Sequence, residues 1–357
     1  MAGDITASDG DAIAPLAETI ADLDLSLNAC EFLDHIPDII EVDPRGDKIL
    51  LVGINTCQIT DDVHHHEAAV RFRVCSRTLG RFSPVMAAML DKVDETTQET
   101  IAFPEDNPKA MTTLLDVAHE HIGPVYDISD PANGNCLDDV YQIAVLANKY
   151  KVTPMLRPWV PTWISILERR VEPWENTLLP IMLEDGEAYY VASLPTVTEC
   201  VEWEKALYVA NEFGHVRIYK DMFEYLHWYT RGGGELFSCT LDPSSVKDQI
   251  IISRWQSIEN ITTVLRDVID TLVRCGLDDA TAGRYTCNAA RPGTRGDCKI
   301  HTLGVIIRHL GRNSLWPLPR TEEFPESLFS LRRLVTNGVS TDGLAAAHII
   351  KIIGHEP

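Results

Sequence analysis

Residues 70–90, VRFRVCSRTLGRFSPVMAAML, change their period partway along. Val70, Phe72 and Val74 alternate with Arg71, Arg73 and Cys75, which predicts a strand with one buried face. From Leu79 the apolar residues recur at helical spacing, Leu79, Phe82, Met86, Met89 and Leu90, and make one apolar stripe. Ser76 and Thr78 stand where a cap for the intervening turn is expected. Within this stretch the chain leaves a sheet and enters a helical cluster.

The flanking sequence extends that arrangement. GDKILLVGI (46–54) predicts a buried strand, CQITDDVHHHEA (57–68) a polar turn, and ETIAFPED (99–106) a third short strand closed by Pro104. A helix is expected over 107–123, with Asn107 as cap, Pro108 at the first helical position and Gly123 as its stop. The next, over 137–151, turns Val140, Ile143, Ala144, Ala147 and Tyr150 to one side. A last helix, 152–170, is started or interrupted by Pro158 and Pro161. Strands first and helices after predict an α+β unit over 42–170. Pro173, Pro180 and Pro195 mark 171–198 as a linker, with a strand possible at 187–194. The region 199–357 reads as α-helical, with helices at 199–213, 216–229, 243–275, 299–312 and 325–337 and a flexible break at RGGGEL (231–236).

Charge narrows the partners. The net charge is −22, which disfavours nucleic acid and anionic lipid. Residues 1–44 hold eleven Asp or Glu and no Lys or Arg, so 1–41 is expected to be a solvated acidic arm. The first twenty residues have neither a basic nor an apolar signal-peptide region, and no apolar run approaches the length of a membrane span. Nine scattered cysteines then imply buried thiols in a reducing compartment, so an intracellular protein, cytoplasmic or nuclear, is expected.

Six motifs in register resemble the BTB/POZ domain, in the form common in filamentous fungi. Gly46 to Leu51 resembles the first strand, with its acidic residue before the apolar run. Phe72 to Leu79 resembles the second strand and its exit, and Ser83 to Leu90 the serine-led helix ending in Met-Leu. Ile101 to Asp106 matches the third strand, and Ala110 to His119 the fungal helix that ends in histidine. Leu146-Ala147-Asn148-Lys149-Tyr150 matches the family's "ladky" helix. The resemblance covers about a third of the chain. Further on, Trp203, Ala210, Phe213-Gly214 and Ser314 to Pro319 resemble the helical extension of fungal members.

The resemblance implies a short mixed sheet capped by a helical cluster, followed by a mostly α-helical region. It also implies a non-enzymatic protein-interaction module that pairs with itself or grips other proteins. Leu79, Phe82, Met86 and Met89 are the expected protein interface, with a second copy of the chain as the first partner. No nucleic acid, membrane, small-molecule substrate or cofactor is expected. The sequence departs from the family in two places. Cys75-Ser76 stands where many animal members have His-Lys or His-Arg. Met111-Thr112-Thr113 occupies the cullin-binding apolar-x-Glu positions without the Glu, which weighs against the alternative of a ubiquitin-ligase substrate adaptor.

The candidate chemistry is sparse. His64-His65-His66 are adjacent, so their rings point to different sides. His119 and His121 lack the i, i+4 spacing of a zinc helix. Cys275, Cys287, Cys298 and His301 form the one set compatible with tetrahedral zinc, but paired Cys-x-x-Cys knuckles are absent and the expectation is buried thiols without metal. No nucleophile elbow or phosphate-binding loop is present. An enzyme would have to assemble its site in the C-terminal region, from residues such as Asp297, Cys298, His301 and His309.

Overall fold

The computed structural model describes residues 39–54, 69–94, 100–121, 136–178, 197–231, 244–274, 295–321, 324 and 326–340. The acidic arm up to residue 38, the histidine run at 64–66, the stop at Gly123, the strand expected at 187–194 and the glycines at 232–234 lie outside the described residues. The chain divides into two units: Met1–Thr177 with Tyr208–Ile218, and Leu178–Leu207 with Tyr219–Pro357.

The first unit is α+β. Its strands are β1 (Ile40–Glu41), β2 (Lys48–Val52), β3 (Val70–Val74) and β4 (Thr100–Phe103), in the sheet order β1-β3-β2-β4. β2 and β3 are antiparallel, while β4 runs parallel to β2 and β1 parallel to β3. Across the sheet Phe72 faces Leu50, and Leu50 faces Ile101. All three are buried, so the alternation in the sequence sets the pairing register. Gly46 lets the chain enter β2, because a Cβ there would lie 2.5 Å from the carbonyl oxygen of Val74.

Two short helices follow β3 where one was expected. α1 (Ser76–Phe82) ends at Ser83, which is extended with φ −135 and ψ 123, and α2 (Pro84–Asp94) begins immediately after it. The cause is Pro84, which disfavours helical backbone at the residue before it and suits a helix start. Ser83 Oγ then accepts the Met86 N–H at 3.1 Å, a cap for α2. The cap expected of Ser76 or Thr78 is absent, for Cys75 is the N-cap of α1 and makes no side-chain capping bond.

α3 (Pro108–Ala118) starts as expected, with Asn107 accepting the Ala110 N–H at 2.8 Å and Pro108 in the first turn. It ends at His119, short of Gly123. α4 (Cys136–Lys149) packs against it. The single helix expected over 152–170 is α5 (Thr153–Leu156) and α6 (Val160–Leu178). α6 runs on through Pro173, so 171–178 is helix where a linker was expected.

α7 (Val197–Phe213) and α8 (Val216–Tyr229) follow, joined at Gly214 with φ +75 and the His215 N–H bonded to Ala210 O, a helix-ending turn that favours glycine. The residues 208–218 around this turn belong to the first unit. There Tyr208 packs edge-on against Tyr141, and Phe213 lies against Trp163. Thr153 bonds Glu212, and Arg217 reaches Glu168 at 3.1 Å.

The second unit is helical where described. α9 (Ser244–Arg274), α10 (Arg295–Arg312) and α11 (Leu328–Ser340) pack around Ile258, Leu265, Ile306, Leu310, Leu328 and Leu331. Trp203 sits with Tyr225 and Tyr229, and Tyr229 with Phe329. Among the described residues, no helix is long and apolar enough to cross a membrane.

Candidate functional site

Side-chain hydrogen bonds tie the strand-to-helix exit to distant segments of the first unit. Asp47, just before β2, accepts the Ser76 N–H at 2.8 Å and the Ser76 hydroxyl at 2.6 Å. Partial burial pushes the Asp47 carboxyl up, but the two Ser76 bonds outweigh it and the pKa falls below the ordinary aspartate value. At the end of α3, His119 Nε2 accepts the Cys75 N–H at 3.3 Å. Its other nitrogen lies 2.9 Å from Leu115 O, which fixes Nδ1 as the protonated, donating nitrogen.

That arrangement has a chemical meaning. Ser76 is bonded to a carboxylate, as an activated serine can be, but the neighbouring imidazole has both nitrogens engaged with backbone and offers no lone pair as a base. Ser83 is similarly committed: its hydroxyl donates to Tyr150 O at 2.7 Å while accepting from Met86. These groups tie β2, the start of α1, the end of α3 and the end of α4 to one another.

A second tie lies at the exit of β4. Asp106 is buried, and its carboxylate accepts from the Tyr150 hydroxyl and from Lys149 Nζ, the latter at 2.5 Å. Burial, and then the Asp106 charge, raise the Tyr150 pKa well above the ordinary phenol value, so the phenol remains a donor.

Of the four residues expected at an interface, Leu79, Phe82 and Met86 are buried within the single chain, and Met89 is half-buried. The stripe expected at an interface faces the chain's own core instead, where α1 packs on α2 and α3. Met111 and Thr113, at the positions that match the cullin motif, are buried too, and the Thr113 hydroxyl donates to Lys109 O.

The metal candidates are only partly visible. Among the described residues, no cluster of three His, Cys, Asp or Glu is placed to hold an ion. Cys275 and Cys287 lie outside the described residues, and Cys298 and His301 lie on α10 with side chains that are likewise outside. His121 Nδ1 stands 3.5 Å from Asp116, and the His309 ring Nε2 is 2.8 Å from Leu334 O. Cys75, half-buried, carries a reduced thiol.

Sequence reasoning passed over two features of the second unit. Arg254 is buried on α9 and donates from Nη2 to Phe324 O at 3.1 Å and to Glu326 O at 2.6 Å. Nearby, burial and then the Arg254 charge lower the His227 pKa below the ordinary histidine value. The other feature is the outward face of α9, where large apolar side chains stand exposed. Arginine within an apolar period was the available signal for the first, and tryptophan opposite the buried stripe for the second.

No protein-family model matches this chain, and the search of curated proteins finds no match.

Proposed function

We propose that the chain is a non-enzymatic protein-interaction module that pairs with itself, or bridges other proteins, through a BTB/POZ-like unit. The observation that carries this reading is the path of the chain through the sheet. The β2–β3 hairpin leads straight into α1 and α2 and returns to the same sheet as β4, parallel to β2. That is the element order in which the six sequence motifs stand. The polar groups in this part support it from the other side. Ser76, Ser83, His119, Asp106 and Tyr150 each hold one segment to another, and their donors and acceptors are engaged in doing so.

Pairing requires an apolar face that the chain does not bury itself. On α2 that face is Val85, Ala88 and Met89, at i, i+3 and i+4, which are half-buried or exposed. Two copies meeting there would cover these side chains while Leu79, Phe82 and Met86 continue to fill the interior.

Light scattering on the full chain at micromolar concentration tests the reading. Twice the 39.9 kDa chain mass is expected. Met89→Asp should return it to the single-chain mass while the chain stays helical by circular dichroism. A single-chain mass at every concentration removes the pairing reading.

A further inference from the structure

Arg254 of α9 is a buried cation held without an anion. It is 2% exposed, and its Nη2 donates to Phe324 O at 3.1 Å and to Glu326 O at 2.6 Å. Among the described residues no carboxylate pairs with it, and its Nε is buried without an acceptor. Two carbonyl dipoles therefore face the charge, and the segment that supplies them is the entry to α11. Phe324, Ser327 and Leu328 are buried there, and Ser327 Oγ caps α11 by accepting the Ser330 N–H at 3.2 Å.

The end of α8 lies against the same part of the chain. The Arg332 guanidinium sits 5.4 Å above the Trp228 ring, and the Tyr229 and Phe329 rings are 5.1 Å apart. The residue before these two aromatics is His227. Its Nε2 is 3.4 Å from the Ser257 hydroxyl of α9, and its Nδ1 is buried without a hydrogen-bond partner among the described residues. An imidazolium donates from both nitrogens. Here one of them would face a hydroxyl and the other no acceptor, with the Arg254 charge close by. Glu224 and Arg231, about one turn to either side on α8, are exposed to water, and Arg332 of α11 is taken up by the Trp228 ring. The last turn of α8 favours a cation, but burial first and Arg254 second hold the ring below the ordinary histidine value.

We propose that Arg254 and the end of α8 form an acid-released latch on α11: a proton on His227 sets a second cation beside the buried guanidinium, and segment 324–327 with the start of α11 comes away from α8 and α9. The segment yields before α9 does, because α9 is a helix of 31 residues held by its own backbone bonds, whereas the entry to α11 is held to it by two bonds from one side chain. Release lets water reach both cations. The latch lies wholly in the second unit, so the proposal stands whether or not the first unit pairs.

Backbone hydrogen exchange of the full chain, corrected for the intrinsic effect of pH, tests this. It is compared at about pH 7.5 and about pH 5.5, one unit to either side of the free histidine value and above the sequence pI of about 4.9. In the released state His227 titrates near 6.5, so the helix-bonded amides of α11 should exchange up to about tenfold faster at the lower pH. The opening is local and exposes little surface. Small additions of urea should therefore leave the α11 rate nearly unchanged while they speed exchange in α10. His227→Gln, or His227→Asn where the first does not fold, should remove the acid response. The proposal is overturned if α11 stays as protected at the lower pH, if α10 and α11 exchange together with the same urea dependence, or if the His227 variant responds to acid like the parent chain.

Discussion

The Tyr150 hydroxyl donates to the carboxylate of Asp106, a bond that joins the exit of β4 to the end of α4 across 44 residues of sequence. Asp106 is 2% exposed, so its charge has little water to fall back on. Lys149 supplies the balancing cation from the surface side, at 2.5 Å.

Removing either side of this tie should cost stability unequally. Asp106→Ala strands Lys149 and the phenol together and is expected to lower unfolding free energy by about 3 kcal/mol. Tyr150→Phe removes one bond to a charged acceptor and should cost about 2 kcal/mol. Urea unfolding of both and of the double variant would measure this. The double variant should lose less than the sum, because the two share one interaction.

Gly46→Ala should destabilise the first unit. The added Cβ meets the carbonyl oxygen, carbonyl carbon and nitrogen of Val74, all backbone, at 2.5 to 2.8 Å. Backbone cannot swing aside, so β2 and β3 must separate locally at a cost of roughly 1–3 kcal/mol. A thermal melt matching the parent chain would contradict this.

His227 should make the second unit sensitive to mild acid. Its folded pKa is depressed, by burial first and by Arg254 second, while the unfolded side chain keeps a value near 6.5. Between those two values the unfolded chain binds the extra proton. Stability is therefore complete above about pH 6.5 and falls as the pH drops through the folded pKa. His227→Gln cannot titrate, so its urea midpoint should change less over that window, whatever constant offset follows from losing the 3.4 Å contact with Ser257. Parallel pH profiles for the two chains would remove His227 as the cause.

The Cys275, Cys287, Cys298 and His301 set is expected to carry no stoichiometric zinc. Elemental analysis of protein purified without added metal checks this. One ion per chain, with loss of helicity in chelator, would reverse the expectation.

What the sequence disclosed follows from the range of its signals. α8 matches its expected bounds of 216–229, and α9 its expected span to within a residue at each end, because an apolar stripe is a local pattern. β1 went unseen because two residues, Ile40 and Glu41, carry no period. The break at Ser83 was written in Pro84, but the apolar stripe runs through it and masks it. The polar ties were illegible for a different reason. Asp47 and Ser76 are 29 residues apart, Cys75 and His119 44, and Ser83 and Tyr150 67, and no short-range pattern announces such partners. The same holds for Leu79, Phe82 and Met86. An apolar stripe shows that something covers a helix, but not whether the cover comes from the same chain.

The short segment 208–218 completes the first unit from beyond the point where that unit otherwise ends. Tyr208 rests on Tyr141 and Phe213 on Trp163, so a gene fragment stopping at residue 177 would leave both aromatic partners uncovered. The first unit therefore does not end where its continuous stretch of chain ends, at residue 177. Copied elsewhere, it would have to bring the α7–α8 turn with it.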